Sequence, residues 1–548
     1  MGAATASVDL VLAGAVVYTA DAVGRFAEAV AVKGGRIAAV GTNREIRDLA
    51  GPRTRVVDLG GCMVLPGFQD AHVHPLDSGR SAALCNLHDL AGREAYAAAI
   101  TRYARAHPEA EWILGDGWGL DDFPGGTPTR AELDELVGDR PSFLVNRDGH
   151  GAWVNTWALE LAGITQGTAD PPDGRIERDA DGEPSGTLHE GAMRLVEELV
   201  PKATVDDWVE ALRVSQRMLH SLGITSWIDA RVERDQLDAY GRVERAGELT
   251  GRAVLSLLWD RARGDEQVAE LVEMRTASTT GRVRAHTVKI FVDGIVENFT
   301  AAMIEPYLGS DGRPTGNTGL SMVDPEALKA HVARLDAAGF QVHFHAIGDR
   351  AVREALDAVE TARVANGVRD ARHHIAHLQV VAREDVARFR TLGVVANAQP
   401  LWGCADRQMR ALTVPFLGPE RSARQYPWAD LRRAGAILAF GSDWSVSTAD
   451  PLPQIEVALT RVPPGEPDVP PFLPEQRLDL RAALHAFTMG SAYVGHRDSD
   501  TGSLEPGKLA DVAVVDRDLF AHREALSAAR IVLTLVDGRP VHADSGIW

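Results

Sequence analysis

The chain has 548 residues and a mass of 58.9 kDa, more than one hydrophobic core of ordinary size, which favours a large domain with an appended one. Its formal net charge of −20 disfavours nucleic acid and anionic membrane as partners, because both require clustered basic surface. No stretch has the length and apolarity of a membrane-spanning helix, so we expect a protein that acts on a small molecule.

The cysteines and the first residues bear on the compartment and on metal chemistry. The three cysteines, Cys62, Cys85 and Cys404, form no close pair and are odd in number, which argues against a disulfide framework or a thiolate zinc cluster. Any metal must therefore use His, Asp, Glu or Lys. The apolar stretch near the start has no preceding Lys or Arg and is typical of a strand rather than a secretory signal, so we predict a cytoplasmic protein.

The two ends of the chain differ from its middle. Residues 8–64 and 503–548 consist of short β-like segments broken by glycine. Between about 65 and 495, apolar runs alternate with helical stretches, and the runs lie at 223–230, 251–258, 282–294, 339–349, 372–381, 393–400 and 436–445. With the run that ends at His74 there are eight, which predicts an α/β fold: a TIM-like (β/α)8 barrel with its active site at the strand C-terminal ends.

The stretch from about 80 to 200 is too long for a single loop. It contains GDGWGLDDFPGGTPTRAELDEL and GHGAWVNTWALELAG, which have turn and helix signals of their own. We therefore predict an inserted subdomain after the first barrel strand.

Candidate ligands lie at the ends of the predicted barrel strands. In LPGFQDAHVHP, Asp70, His72 and His74 follow one another at every second position, so their side chains point to one face of the strand. Lys289 lies in the apolar run TVKIFVDG, where an ammonium is costly to bury. The alternative interpretation for Lys289 is an ion pair with Asp293 or Glu297.

Three further strands end in groups of the same kind. His345 and His377 end the next two runs, and Asp443 ends the last one after a Gly-Ser turn. Each alone has a structural interpretation, as a core histidine or a helix-capping aspartate. Together, four imidazoles and a carboxylate at one end of a barrel predict a site for a divalent metal, with Zn²⁺ the ion we expect.

The sequence resembles the amidohydrolase superfamily, and within it the YtcJ-like, N-substituted-formamide-deformylase-like branch called amidohydrolase type 3. The resemblance spans nearly the whole chain and is carried by LPGFQDAHVHP (65–75), GDGWGLDDFP, RDGHGAWVNTWALELAGI (147–164), GEPSGTLHE (182–190), VKIFVDG, HFHAIGDRAV, HHIAHLQVV, AFGSDWS and GSLEPGKLADVAVVD (502–516). It implies a small β-sandwich built from both chain ends, with segments 1–64 and 496–548 flanking the hydrolase barrel of 65–495.

The resemblance also implies a ligand set and a reaction. The implied metal ligands are His72, His74 and Asp443 on one ion and His345 and His377 on a second, with Lys289 bridging the two as an N-carboxylated lysine. If only one ion binds, Lys289 stays an amine. The expected reaction is hydrolysis of a non-peptide carbon–nitrogen bond in an N-acyl or N-formyl amide, by a metal-activated water with Asp443 as general base.

Residues of the insertion are candidates for substrate selection. Trp118, His150 and Trp153 are the ones we expect to face the cleft, and packing within the subdomain is the alternative for each. Barrels of this kind often associate through their outer helices, so a homo-oligomer is compatible with the sequence, although no helix identifies the surface.

The chain departs from the family pattern in places. Residues 295–301 read IVENFTA where Gly-Ser-Arg-Thr-Ala is common, Ala376 stands for a usual Glu, and Ser445 stands for a usual Pro. The doubled histidines of HFH and HH also leave a one-position ambiguity, in which His343 and either His373 or His374 are the alternative ligands.

The sequence leaves two alternatives to this reaction: a deaminase or cyclic-amide hydrolase of the same superfamily, and a protein without catalytic activity. A deaminase is disfavoured because HAIGD offers Asp349 where superfamily deaminases commonly carry Glu. A ligand-binding or regulatory protein without activity is the third hypothesis, and retention of all six ligand positions argues against it.

Overall fold

A computed structural model describes residues 7–278 and 281–548 of the chain. The first six residues of the predicted segment 1–64 lie outside this range. The strands in chain order are β1 Leu10–Ala13, β2 Val16–Tyr18, β3 Phe26–Ala27, β4 Ala29–Lys33, β5 Arg36–Gly41, β6 Arg55–Asp58, β7 Met63–Pro66, β8 Phe68–Val73, β9 Cys85–Asn86, β10 Ile113–Trp118, β11 Ser142–Asn146, β12 Gly151–Val154, β13 Gly174–Arg178, β14 Pro184–Glu190, β15 Ile224–Val232, β16 Arg252–Leu258, β17 Val283–Phe291, β18 Gln341–Ala346, β19 His374–His377, β20 Val395–Ala398, β21 Leu438–Phe440, β22 Val512–Val515, β23 Ile531–Val536 and β24 Arg539–Ala543.

The α-helices alternate with these strands over the middle of the chain. They are α1 Asn43–Arg47, α2 Pro75–Ser81, α3 Arg93–Ala106, α4 Arg130–Val137, α5 Thr156–Leu161, α6 Arg194–Glu197, α7 Val205–Ser221, α8 Arg234–Arg245, α9 Gln267–Ser278, α10 Pro325–Ala337, α11 Asp349–Asn366, α12 Arg383–Leu392, α13 Val414–Ser422, α14 Trp428–Arg433, α15 Pro451–Thr460, α16 Leu480–His485 and α17 Ser491–Val494. No helix within the described ranges combines the length and apolarity needed to cross a bilayer.

Eight parallel strands form the central sheet, in the order β8, β15, β16, β17, β18, β19, β20, β21. The two outer strands approach each other: the Asp443 N–H donates to the His72 carbonyl at 2.7 Å, and the His74 N–H donates to the Trp444 carbonyl at 2.9 Å. A Cβ on Gly441 would lie 2.4 Å from the backbone nitrogen of His72, so this approach requires glycine. The sheet is thus a nearly closed barrel of eight parallel strands, which confirms the barrel part of the predicted fold.

Local sequence explains the alternation of strand and helix. β15 is buried along almost its whole length, as expected for a strand covered on both faces. α10 begins where Asp324 accepts hydrogen bonds from the backbone N–H groups of Glu326 and Ala327, with Pro325 at its first position. α7 begins with a reciprocal capping box between Thr204 and Asp207.

The insertion contains more sheet than its sequence suggested. Six strands pair in the order β13, β14, β12, β11, β10, β9, with α3, α4 and α5 between them. We expected turns and helices, because strands such as β10 (ILGDGW) interrupt their apolar residues with Gly and Asp and so lack a clear alternation. Trp118 and Trp153 belong to an apolar cluster that this sheet shares with Ile295 and Val296 of the loop after β17.

The chain ends contribute two further sheets. One consists of β5, β4, β1 and β6, and the other joins both ends of the chain in the order β24, β23, β22, β7, β2, β3. Leu12, Val32, Val64, Val514 and Leu533 are among the buried residues of one apolar cluster between these sheets. The segment boundaries at 64 and 496 stay a prediction.

Candidate metal centre

Asp443 lies at the middle of the predicted ligand set, just after β21. Its Oδ1 atom is 3.2 Å from Nε2 of His74 and 3.5 Å from Nε2 of His72, and its Oδ2 atom is 3.8 Å from Nδ1 of His377. One donor atom each from His72, His377 and Asp443 lie within 4.8 Å of one another, close enough to share a cation. The trio combines His72, which was predicted to bind one metal ion, with His377, which was predicted to bind the second.

His72 offers only one ring nitrogen to the centre. Its Nδ1 atom is 2.8 Å from Nε2 of His343, and Nδ1 of His343 is 3.0 Å from the Ser256 hydroxyl. This chain fixes the orientation of the His72 ring and leaves Nε2 beside Asp443. Sequence reasoning treated His343 only as an alternative ligand and did not find its contact with His72.

Lys289 lies in β17 and is only 1% exposed. Its Nζ atom is 3.5 Å from Nε2 of His72 and 4.9 Å from the centre of the Phe291 ring. Burial lowers the pKa of this amine to about 7, against a smaller opposite effect of the Asp443 charge. A neutral amine is the form that reacts with CO₂ to give a carbamate.

The alternative ion pairs of Lys289 are not formed in the described part of the chain. Asp293 accepts hydrogen bonds from three backbone N–H groups, those of Ala302, Ile347 and Gly348. Glu297 accepts one from the Thr413 hydroxyl. Among the residues that the structure describes, the carboxylate that acts on the charge of Lys289 is therefore Asp443, in the centre itself.

His345 and His377 lie side by side, with ring centres 4.5 Å apart. The Nδ1 atom of His345 is 3.4 Å from Oδ1 of Asp293, and the His377 ring stacks on Trp402 at 5.1 Å with planes 7° apart. Both histidines are buried. Trp402 carried no signal in the sequence, because its contact with His377 joins a loop to a strand.

The alternative histidines occupy other environments. The His343 ring contacts both the His72 ring and, at 4.0 Å, the His374 ring. His373 accepts a hydrogen bond from the Val342 N–H at Nδ1 and lies 3.2 Å from Asp336 at Nε2. The contacts of His373 and His374 are therefore with Val342, Asp336 and His343, whereas His377 contacts Asp443 and the His345 ring.

The electrostatics suit a cation site. Burial lowers the pKa of His72 and His345 far below the usual value and that of His377 to about 3, and neighbouring histidines and Lys289 add to the effect. Burial opposes ionisation of Asp443, but the hydrogen bond and charge of His74, with the charges of His377 and Lys289, keep its pKa below the ordinary value. Neutral imidazoles and an ionised carboxylate are the protonation states that metal ligands require.

An unpartnered nitrogen beside Asp443 suits a metal. The Nδ1 atom of His377 is buried, has no hydrogen-bond partner among the described residues and lies 3.8 Å from Oδ2 of Asp443. Buried polar atoms are rarely left unpaired, so this nitrogen is available to a cation at the centre. The nitrogen and oxygen donors match Zn²⁺ or a similar divalent ion.

The predicted substrate-facing residues fall into two groups. Trp118 and Trp153 are buried in the insertion, where their indole N–H groups donate to the carbonyls of Leu144 and Thr129. Their role towards substrate stays a prediction. The His150 ring lies 5.0 Å from the His345 ring, at the edge of the centre. Burial opposes its charge, but the Glu190 carboxylate overcomes this and raises the pKa of His150 to about 9.

A cavity of about 340 Å³ adjoins this edge. The insertion contributes Arg175, Glu177 and His189 to its wall, and the loop after β17 contributes residues 297–299. Asn298 connects the cavity to the centre, because its side-chain amide donates to the His150 carbonyl at 3.3 Å. The loop that departs from the family pattern thus lies between the cavity and the histidine cluster.

The barrel and its cluster of histidine, lysine and aspartate side chains define a metal-dependent hydrolase of the amidohydrolase type. The amidohydrolase family profile matches residues 55–542, and the chain belongs to this family.

The chain is 32% identical to Protein LONG AFTER FAR-RED 3 of Arabidopsis thaliana, over 97% of this chain and 91% of that protein. It is 28% identical to N-substituted formamide deformylase of Arthrobacter pascens, over 97% of each chain. The crystal structure of an uncharacterized metal-dependent hydrolase from Pyrococcus horikoshii superposes with a TM-score of 0.73 at 27% identity, over 93% of this chain and 97% of the other. The family resemblance seen in the sequence is therefore confirmed.

Proposed function

We propose that the protein hydrolyses a non-peptide carbon–nitrogen bond in an N-acyl or N-formyl amide. The observation that carries the proposal is the convergence at the barrel mouth of buried donor atoms, one each from His72, His377 and Asp443, within 4.8 Å of one another. The similarity to a formamide deformylase along the full chain supports the choice of bond.

We assign the metal ligands as His72, His74, His345, His377, Asp443 and a carboxylated Lys289. A bound divalent cation supplies Lewis-acid chemistry, lowering the pKa of a water and polarising a carbonyl. Carboxylation would convert Lys289 from a cation that opposes metal binding into an anion with two oxygen donors. Its burial and its 3.5 Å approach to His72 support this assignment.

Asp443 is the proposed general base. The oxygen of the attacking water bonds to the carbonyl carbon while its proton passes to Asp443. Asp443 then returns the proton to the nitrogen as the carbon–nitrogen bond breaks, which gives a carboxylic acid and an amine. Burial opposes its ionisation, but the hydrogen bond and charge of His74 keep the pKa of Asp443 below its ordinary value, so the carboxylate is ionised and can accept this proton. His74, at 3.2 Å, orients the carboxylate.

The cavity between insertion and barrel is the proposed site for the organic part of the substrate. Its volume of about 340 Å³ admits a small substituent, and Phe299 offers it an aromatic wall. The loop at 295–301, which departs from the common family pattern, then determines which amides are accepted.

A metal and substrate screen tests the proposal. Purified protein is analysed for metal content, stripped with a chelator, reloaded with Zn²⁺, Mn²⁺ or Fe²⁺, and assayed on a panel of N-formyl and N-acyl amines. We expect activity on at least one amide that is lost with the metal and restored by reloading. A metal-loaded protein inactive on every amide would refute the hydrolase and support a ligand-binding role, and release of ammonia from an amino-substituted ring would support a deaminase.

A further inference from the structure

The candidate ligand His377 has an unusual backbone conformation. Its φ is 79° and that of the next residue, Leu378, is 53°, both in the left-handed region that residues with side chains rarely adopt. Such conformations persist only where the surroundings hold them, and they cluster at functional sites. The contacts that hold His377 come from the segment that follows β20.

Gln399 holds the backbone of His377. Its Oε1 atom accepts a hydrogen bond from the His377 N–H at 2.9 Å, and the Gln399 side chain is fully buried. The N–H of Leu378 donates to the Ala346 carbonyl of β18 at 3.1 Å. The backbone N–H groups of both left-handed residues therefore have fixed partners, which stabilise this conformation.

Trp402 holds the ring of His377. The indole and imidazole planes are parallel to within 7°, with ring centres 5.1 Å apart. Trp402 ends a short turn, Pro400–Trp402, in which its N–H donates to the Gln399 carbonyl at 3.2 Å. The contact to the backbone of His377 and the contact to its ring thus come from one compact turn.

The turn is packed against a buried layer behind it. A Cβ on Gly403 would lie 2.1 Å from the Trp428 ring, so the backbone after Trp402 lies directly on that indole. Trp428 is fully buried, and the guanidinium of the buried Arg461 lies 4.5 Å from the centre of its ring. The turn that carries Trp402 therefore has little freedom to move away from His377.

We propose that Gln399 and Trp402 are positioning residues that hold His377 in its left-handed conformation with Nδ1 in place for a metal ion. This inference rests on the metal ligation proposed above. Nδ1 of His377 lies 3.8 Å from Oδ2 of Asp443, so the ring already points this nitrogen at the centre. Because the ligand is oriented before the ion binds, less conformational freedom is lost on binding and the affinity is higher.

Metal affinity tests the inference without an enzyme assay. Zn²⁺ dissociation constants are measured on chelator-stripped protein by competition with a chromophoric chelator, and ligand geometry is followed by the visible absorption of Co²⁺-loaded protein. We expect Trp402→Ala to weaken metal binding by about 10- to 100-fold, the loss typical of residues that orient a ligand, and to change the Co²⁺ spectrum. Trp402→Phe should recover part of the affinity, because a phenyl ring can still stack on the imidazole.

Two further single variants complete the series. Gln399→Met removes the acceptor of the His377 N–H at similar volume and should also weaken Zn²⁺ binding. Trp157→Ala, at a 45% exposed indole of α5, is the control and should leave the affinity unchanged. Affinities of Trp402→Ala and Gln399→Met equal to that of the wild type would overturn the inference.

A double variant separates positioning from general destabilisation. If Trp402 acts through His377, Trp402→Ala/His377→Ala should bind metal no more weakly than His377→Ala alone, and additive losses would overturn the inference. Amide hydrolysis by a wild type whose Trp402→Ala variant keeps full metal affinity would refute the positioning role and leave the hydrolase proposal intact. If the wild type binds metal but hydrolyses no amide, the hydrolase proposal fails and the affinities still decide the inference. A wild type that binds no metal would overturn both.

Discussion

The Nζ atom of Lys289 lies 3.5 Å from Nε2 of His72, in a strand whose lysine is almost wholly buried. A lysine in this position opposes cation binding as an ammonium and promotes it as a carbamate. We propose that the state of this nitrogen decides whether the neighbouring histidines bind one metal ion or two.

Removal of the Lys289 nitrogen should reduce activity in a way that a small acid can reverse. We expect Lys289→Ala to lower kcat/KM by at least about 100-fold, since even residues that only support metal ligands are worth 10- to 100-fold. Propionate should restore part of the rate by filling the space with a carboxylate. Lys329→Ala, at a partly exposed lysine paired with Glu326, is the control. A variant that retains full activity without propionate would refute the bridging role.

Metal-free protein should show the buried amine in its pH-dependent stability. Burial lowers the pKa of Lys289 from its ordinary 10.5 to about 7, so between these values the unfolded chain binds a proton that the fold has released. The free energy of unfolding contributed by this group therefore rises with pH across that window. In urea unfolding from pH 7 to 10, metal-free wild type should gain stability relative to Lys289→Met. A constant difference would contradict the burial of a free amine.

Loss of the proposed base should abolish turnover. Asp443→Asn keeps the shape of the side chain but removes its charge and most of its basicity, so we expect kcat to fall by about 10²- to 10⁴-fold. Metal analysis of the variant separates loss of the base from loss of a ligand. An Asp443→Asn protein that binds metal and turns over amides at the wild-type rate would show that another group moves the proton.

A buried ion pair between barrel and C-terminal segment should matter for stability. Nε of Arg252 lies 2.9 Å from Oδ2 of Asp511, with side chains 7% and 4% exposed, and Asp537 is a further partner of the same guanidinium. Arg252→Met leaves the buried Asp511 without its ion-pair partner, whereas Asp537 keeps Arg282, and the change should lower the free energy of unfolding by about 3–5 kcal/mol. Arg242→Met, which breaks an exposed pair with Asp206, should change it by less than about 1 kcal/mol. Equal effects of the two variants in urea unfolding would contradict this.

The barrel was predictable because its signals are local. Each strand is a short apolar run such as Ile224–Val232, and the spacing between runs leaves room for one helix, so a count of eight predicts the fold. The strands of the insertion were harder to predict, because they are short and contain Gly and Asp, as in Ile113–Trp118.

The candidate site was predictable only in its residue types. His343 and His345 are two residues apart in one strand, so their side chains point to the same face and the alternation of faces cannot distinguish them. They differ only in how close they lie to the C-terminal end of the strand. The contacts of His343 with His72 and of Glu190 with His150 join segments that are distant along the chain. Pairings of that kind follow from strand register, which the sequence does not display.

A crystal of metal-loaded protein tests the central claim most directly. Anomalous diffraction at the metal edge should give peaks contacting His72, His74, His345, His377 and Asp443, and electron density should extend from Nζ of Lys289 as a carboxylate between two ions. A single peak with an unmodified Lys289 would reduce the centre to one metal. The absence of any peak among these side chains, in protein that is active, would contradict the account.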